Sequence, residues 1–147
     1  MAQEYQQVSP SDFFYRNREI AGFSNPSRAI YVGVRELLEN SLDACESRMI
    51  PPDIYLRITE LSTSNGENGT AVYLIRIQDN GTGFDVAAVT RSYSRQGSLG
   101  MVILQERSEL INGVLNVVSS PGAGTCVQVY IPLTAEAADS LHRANQK

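Results

Sequence analysis

Hydrophobic positions along this chain follow two different periods, and the changes of period mark its elements. From residue 26 to about 47 the spacing is helical: Ile30, Val34, Leu37, Leu38, Leu42 and Cys45 gather on one broad face at about 100° per residue. Glu36, Asn40 and Asp43 line up at i, i+4 and i+7 on the opposite face. Ser24-Asn25-Pro26 supplies a cap followed by a proline that has no amide proton to satisfy, and Pro51-Pro52 stops the helix. The period then drops to two. Ile54, Leu56 and Ile58 alternate with Tyr55, Arg57 and Thr59, and later Tyr73, Ile75 and Ile77 alternate with Leu74, Arg76 and Gln78. Residues 62–69 between them are all turn formers, which predicts a long-looped antiparallel hairpin. Helical spacing returns from about Ser98 to Ile111, with Leu99, Val102, Ile103, Leu110 and Ile111 inward and Asn112-Gly113 as its end. Two closing strands, about 114–119 and 126–131, flank the turn Ser120-Pro121-Gly122-Ala123-Gly124-Thr125.

The flanks read less sharply. Ser9-Pro10 starts a helix that carries Phe13, Phe14 and Ile20 and ends near Gly22; residues 1–8 are polar and loose. Residues 85–97 have weak periodicity and predict a mobile loop, and the alanine-rich tail after Pro132 is a short helix or a frayed end. The order helix, helix, strand, strand, loop, helix, strand, strand predicts an α+β two-layer sandwich with a largely antiparallel, mixed sheet and helices on one face. Neither a P-loop nor a Rossmann glycine motif is present. We divide the chain into an N-terminal strap or helix over 1–25, a main domain over 26–134 and a tail over 135–147.

Composition narrows the function classes. At 147 residues the chain is long enough for one real core, and a net charge of −4 argues against direct nucleic-acid binding over a broad surface. Cys45 and Cys126 lack metal-ligand neighbours and read as reduced core thiols. No apolar run approaches the ~20 residues of a membrane span, and no signal peptide is evident, so a cytoplasmic protein is expected.

Four segments carry candidate chemistry. Glu36 and Asn40, one helical turn apart, suit a water molecule and a hydrated magnesium ion, although the same pattern fits a solvated helix face. Asp79 could accept from an exocyclic amine, while Gly81 and Gly83 let a flat ring approach the backbone; a plain turn is the alternative. Gly97-Ser98-Leu99-Gly100 opens a helix whose free amides would seat a phosphate. Gly122-Ala123-Gly124-Thr125 is the last, and read alone is a hairpin turn.

Taken together and in this order, the segments resemble the GHKL (Bergerat-fold) ATP-binding superfamily of type II topoisomerases, heat-shock chaperones, mismatch-repair ATPases and sensor histidine kinases. The resemblance covers roughly residues 9–134. Residues 9–23, with Arg35-Glu36-Leu37-Leu38-Glu39-Asn40-Ser41-Leu42-Asp43-Ala44, resemble the start of the topoisomerase VI B subunit. Asp79-Asn80-Gly81-Thr82-Gly83-Phe84-Asp85, residues 101–113 and the 120–125 turn are more similar to the catalytic domain of histidine kinases. The resemblance implies roles. Glu36 would polarise the attacking water, and Asn40 would ligate Mg2+. Asp79 would read adenine with Thr125 in support, and Asp43 would lie at the pocket floor. Gly81 and Gly83 would form the first glycine box, and Gly97, Ser98, Leu99 and Gly100 an abbreviated second one at the base of the ATP lid.

Departures from the family pattern shape the functional expectation. The fifteen residues after Pro132 predict neither a transducer domain with its catalytic lysine nor a DNA-cleaving part. His142 lies in the tail without a helical hairpin around it, so no phospho-acceptor domain is expected. Arg91 and Arg95 either reach a phosphate from the lid or are solvated loop charges. Three functions follow: slow Mg2+-dependent ATP hydrolysis, gated by dimerisation; phosphotransfer from ATP to a partner protein; or a nucleotide-dependent binding module. The resemblance also implies an ATP-dependent homodimer gripped through the N-terminal segment.

Overall fold

The computed structural model describes residues 26–63, 70–91 and 99–146. The helix expected over 9–22, the division at residue 25 and the lid residues Arg95, Gly97 and Ser98 lie outside them. The elements run α1 (Pro26–Glu46), β1 (Ile54–Thr63), β2 (Thr70–Asp79), α2 (Val86–Arg91), α3 (Leu99–Leu110), β3 (Val114–Ser119), β4 (Thr125–Pro132) and α4 (Ala135–Asn145).

Both long helices end by backbone closure. The Ile50 amide donates to the Cys45 carbonyl at 2.9 Å around Met49, which takes a φ of 53°. The Gly113 amide donates to Ser108 O at 2.7 Å around Asn112, with φ 54°. A left-handed residue of this kind satisfies carbonyls that the last turn would otherwise leave open. Asn112 therefore ends α3 as its sequence suggests. For α1 the chain reverses at Met49, before Pro51-Pro52 can act.

The strands form one sheet in the order β1-β2-β4-β3, and every ladder is antiparallel. β1 and β2 are longer than the alternation indicates, because pairing continues out to Thr63↔Thr70. The expected loop at 85–97 holds a short helix, α2, in which Asp85 Oδ1 accepts the Ala88 amide at 2.9 Å. The tail is helical as α4, capped by Thr134, whose hydroxyl accepts from the Ala137 amide.

Cross-strand register sorts the sheet residues onto two faces. Ile75, Ile77, Val127, Val129 and Ile131 share one face and pack with Leu37 of α1 and Leu104 of α3 into the main core. Val72 and Val114 fall on the other face and are also buried, at the end of the sheet where α4 packs against β2, β3 and β4. The helical layer predicted for one face is formed by α1 and α3, and α4 adds a short helix on the other face that the expectation of helices on one face did not include. The α1–α3 layer stops short of β1: Ile58, paired with Ile75, is 46% exposed. The apolar face of α1 is narrower than its sequence suggests, and Leu38 and Leu42 lie exposed on the flank away from α3.

This asymmetry gives a direct comparison. Ile75→Ala should cost about 3 kcal/mol of stability, as expected for a fully buried large-to-small change. Ile58→Ala, its cross-strand partner, should cost less than about 1 kcal/mol. Chemical denaturation of both variants checks the difference.

Candidate functional site

β2 ends at Asp79, and everything around its carboxylate is an acceptor–donor match. Oδ1 accepts the Gly81 amide at 3.0 Å and the Thr125 amide at 3.2 Å. Oδ2 accepts the Ser41 hydroxyl at 3.1 Å. Asp79 is 8% exposed and Ser41 3%, so one buried carboxylate joins α1, the turn after β2 and the start of β4. A carboxylate oxygen accepts more than one hydrogen bond, and Oδ2 retains capacity after Ser41.

The next residue braces the same corner from outside. Asn80 Oδ1 accepts the Asp53 amide at 2.8 Å and the Cys45 thiol at 3.4 Å, while its Nδ2 donates to the Pro51 carbonyl at 3.0 Å. Burial pushes the Cys45 pKa up, with the Asp79 charge as a smaller contribution, so the thiol keeps the proton it donates.

Two turns are zipped together beside the carboxylate. The Gly122 amide donates to Thr82 O at 2.7 Å. Ser119 Oγ accepts the Phe84 amide and donates to Gly124 O, each at 2.9 Å, and lies 3.0 Å from Thr125 Oγ1. Gly83 has a φ of 59° and Gly124 a φ of 72°. A Cβ on Gly83 would strike the Ser120 carbonyl, and one on Gly124 the Asp79 carbonyl. Close backbone approach at a left-handed residue requires glycine at both.

Asp79 stands at the edge of a cleft of about 260 Å³ between α1, α3 and these turns. Apolar walls come from Leu37, Ala44, Phe84, Met101, Leu104 and Val127, with Asn40, Ser41, Thr82 and Thr125 as the polar points. Such a mixture of apolar wall and few fixed polar groups suits a small planar ligand.

Of the residues singled out from sequence, Asn40, Asp79, Gly83 and Thr125 line this cleft together. Gly81 is buried behind Asp79; a Cβ there would lie 2.8 Å from that of Ala44. Leu99 and Gly100 form the first turn of α3. Thr125 supports Asp79 through its backbone amide, while its hydroxyl turns to Ser119. Glu36 is not part of the lining. It occupies a small side cavity between α1 and α3, where its carboxylate is ion-paired with the Arg107 guanidinium. Asp43 is exposed and does not line the cleft, because three residues past Asn40 the helix has turned it outward; the pocket-floor position expected of it is taken by Ser41 and Ala44. Arg91 ends α2, exposed.

Sequence reading missed Ser41, Asn80, Ser119 and Arg107. Ser41 had a signal: a small polar residue on the helix face that carries Leu37 and Cys45.

Comparison with known proteins agrees with this geometry. The family model for histidine kinase-, DNA gyrase B-, and HSP90-like ATPases matches residues 25–135. The B subunit of the type 2 DNA topoisomerase 6 of Saccharolobus solfataricus is 40% identical over 93 residues, 63% of this chain. The corresponding protein of Saccharolobus shibatae is 39% identical over 93 residues. The chain spans only 17% of the length of each. The histidine kinase domain of the Erythrobacter litoralis EL346 blue-light activated histidine kinase has the same fold, with a TM-score of 0.55 and 24% identity over 79% of this chain and 51% of that one. A second structure of that kinase superposes with a TM-score of 0.54 at 26% identity, covering 74% of this chain and 30% of that chain.

The buried carboxylate can be tested without any ligand. Ser41→Ala should cost about 1.5 kcal/mol, the value of one hydrogen bond to a charged group. Gly124→Ala should cost more, since the turn must shift away from the Asp79 carbonyl. Denaturant melts of the two variants report both.

Proposed function

The chain belongs to the histidine kinase-, DNA gyrase B-, and HSP90-like ATPase family, and from that premise we propose that its cleft binds ATP with Mg2+ and hydrolyses it slowly. The observation that carries the reading is the Asp79 carboxylate, fixed by three donors at the edge of an apolar cleft. Held in this way, it presents an acceptor to the exocyclic amine of adenine. Gly83 gives the base room beside the backbone, and Leu104, Met101 and Val127 supply apolar surface.

The phosphates would extend toward the N-terminus of α3, where the first-turn amides of Leu99 and Gly100 would offer donors. Asn40 would hold a hydrated magnesium ion through its amide oxygen. A single carboxamide oxygen at the cleft suits an ion carried largely by phosphate and water. Bound there, magnesium would neutralise phosphate charge. In hydrolysis, water forms the new P–O bond to the γ-phosphorus, the bond to the β-phosphate oxygen breaks, and Glu36 accepts the proton.

A specific observation supports a second reading. Glu36 is held by Arg107 and does not line the cleft. A base withheld from water favours transfer of the γ-phosphoryl group to a side chain of a partner protein. A binding module with negligible turnover is the limit of the same argument. On either reading, ATP would favour a homodimer gripped through residues 1–25.

Incubation with γ-labelled ATP separates these outcomes: free phosphate supports hydrolysis, label on protein supports transfer, and intact ATP supports the binding module. Asp79→Asn should weaken ATP binding by about 1.5 kcal/mol or more, and GTP, with a carbonyl facing Asp79, should bind poorly. Equal calorimetric affinity for ATP and GTP would sink the adenine assignment. Glu36→Gln should leave ATP affinity nearly unchanged while lowering turnover about 10²-fold. Asn40→Ala should instead weaken binding only when magnesium is present. Sedimentation with a non-hydrolysable ATP analogue tests the dimer: a monomer at saturating nucleotide rules it out.

A further inference from the structure

The face of the sheet turned away from α1 and α3 carries a row of hydrogen-bonding side chains running across all four strands. Cross-strand pairing places Arg57 opposite Arg76, Arg76 opposite Gln128, and Gln128 opposite Asn116. At the spacing of sheet strands the row is roughly 14 Å long. Arg57, Arg76 and Asn116 are exposed. The neighbouring row holds Tyr55, Gln78, Cys126 and Val118, with Tyr55 51% and Val118 70% exposed.

Charge contributed by the strands to this face is the reverse of the chain's. The whole sequence is at −4, yet no strand among the described residues contributes a carboxylate here: Glu60 and Asp79 both fall on the helix-covered face by register. Two like charges directly opposite each other on paired strands are destabilising. Nothing among the described residues relieves them. The ion pairs of those residues are Arg35–Glu39 and Arg107–Glu36, and Arg76 reaches only the Gln78 amide oxygen at 3.2 Å. Beside the row, a shallow groove of about 530 Å³ runs past Arg76, Gln78, Gln128 and Val118 to the 120–124 turn.

We propose that this face docks an acidic segment of a partner protein. Two guanidinium forks on cross-strand partners suit carboxylates in bidentate geometry, the amides of Gln78, Gln128 and Asn116 suit peptide groups, and Tyr55 and Val118 supply apolar flanks. An anionic occupant removes the repulsion between Arg57 and Arg76 that the free chain bears. Nucleic acid fits less well: two arginines are too few for the many phosphate contacts that such binding needs, in a chain whose net charge opposes it. The site lies behind the nucleotide cleft, across β4 and its turn, and does not depend on how ATP is used.

The test is fluorescence anisotropy with a labelled polyglutamate peptide on the intact chain. Binding is expected at low ionic strength and should fade as salt rises. R57Q/R76Q should lower the affinity about tenfold or more, equivalent to losing at least one charge-assisted contact. The same variant should melt at the parent temperature or above, because a repulsive pair has gone. R57E/R76E should lose polyglutamate and gain a polylysine peptide. The proposal is overturned by no binding at low salt, by undiminished affinity in R57Q/R76Q, or by preference for a single-stranded oligonucleotide over polyglutamate.

Discussion

One buried carboxylate sets the geometry of the cleft end of this domain. Asp79 accepts from α1, from the turn after β2 and from the first residue of β4; the helix contact spans 38 positions of the chain and the β4 contact 46. A buried carboxylate without donors would cost several kcal/mol, so the three contacts are held together by the penalty for losing any of them. That constraint also fixes the glycines. Bringing the β4 turn close enough for the Thr125 amide to reach Oδ1 presses Gly124 against the Asp79 carbonyl, where no side chain fits. Cleft, turns and helix angle are therefore consequences of the same contact.

Much of this is readable from residue order alone. The change from helical to alternating period locates α1, β1, β2, α3, β3 and β4 because each element buries one face, and burial is what periodicity records. Asn40, Asp79, Gly83 and Thr125 can be grouped because their motifs stand in family order. The residues that are not legible act through register. Ser119 bridges Phe84 and Gly124, and Asn80 ties Asp53, Cys45 and Pro51, contacts that exist only once distant strands are aligned. A serine or asparagine at a turn has too many local uses for its type alone to disclose a long-range one. Thr125 shows the converse: its motif points to a place beside Asp79, but only the fold shows that its backbone amide makes the contact.

The two faces of the sheet follow different rules. One is sorted by burial, and its alternation of Ile and Val with polar residues is plain in sequence. The other is mostly solvent-facing, so no periodic apolar signal marks which of its residues belong together. Arg57 and Arg76 lie nineteen positions apart in the chain and become neighbours only through the β1–β2 ladder. A like-charge pair of this kind opposes folding, and apolar burial on the covered face and beneath α4 must offset it.

The pairing of Glu36 with Arg107 bears on the proposed chemistry through two effects of opposite sign. A neighbouring guanidinium favours the ionised carboxylate, which a proton acceptor needs to be. It also occupies the lone pairs with which that carboxylate would align a water, and it draws the side chain into the cavity between α1 and α3 rather than the cleft. General-base catalysis requires both the charge and the geometry, and the pairing takes away the second. Asn40, one turn further along the same helix, reaches the cleft without such a competitor. The helix therefore keeps the proposed metal ligand, Asn40, available while the proposed base, Glu36, stays engaged, an arrangement that would separate holding the nucleotide from cleaving it. On the proposed readings, that separation accords with slow hydrolysis or with transfer to a partner, and not with rapid hydrolysis.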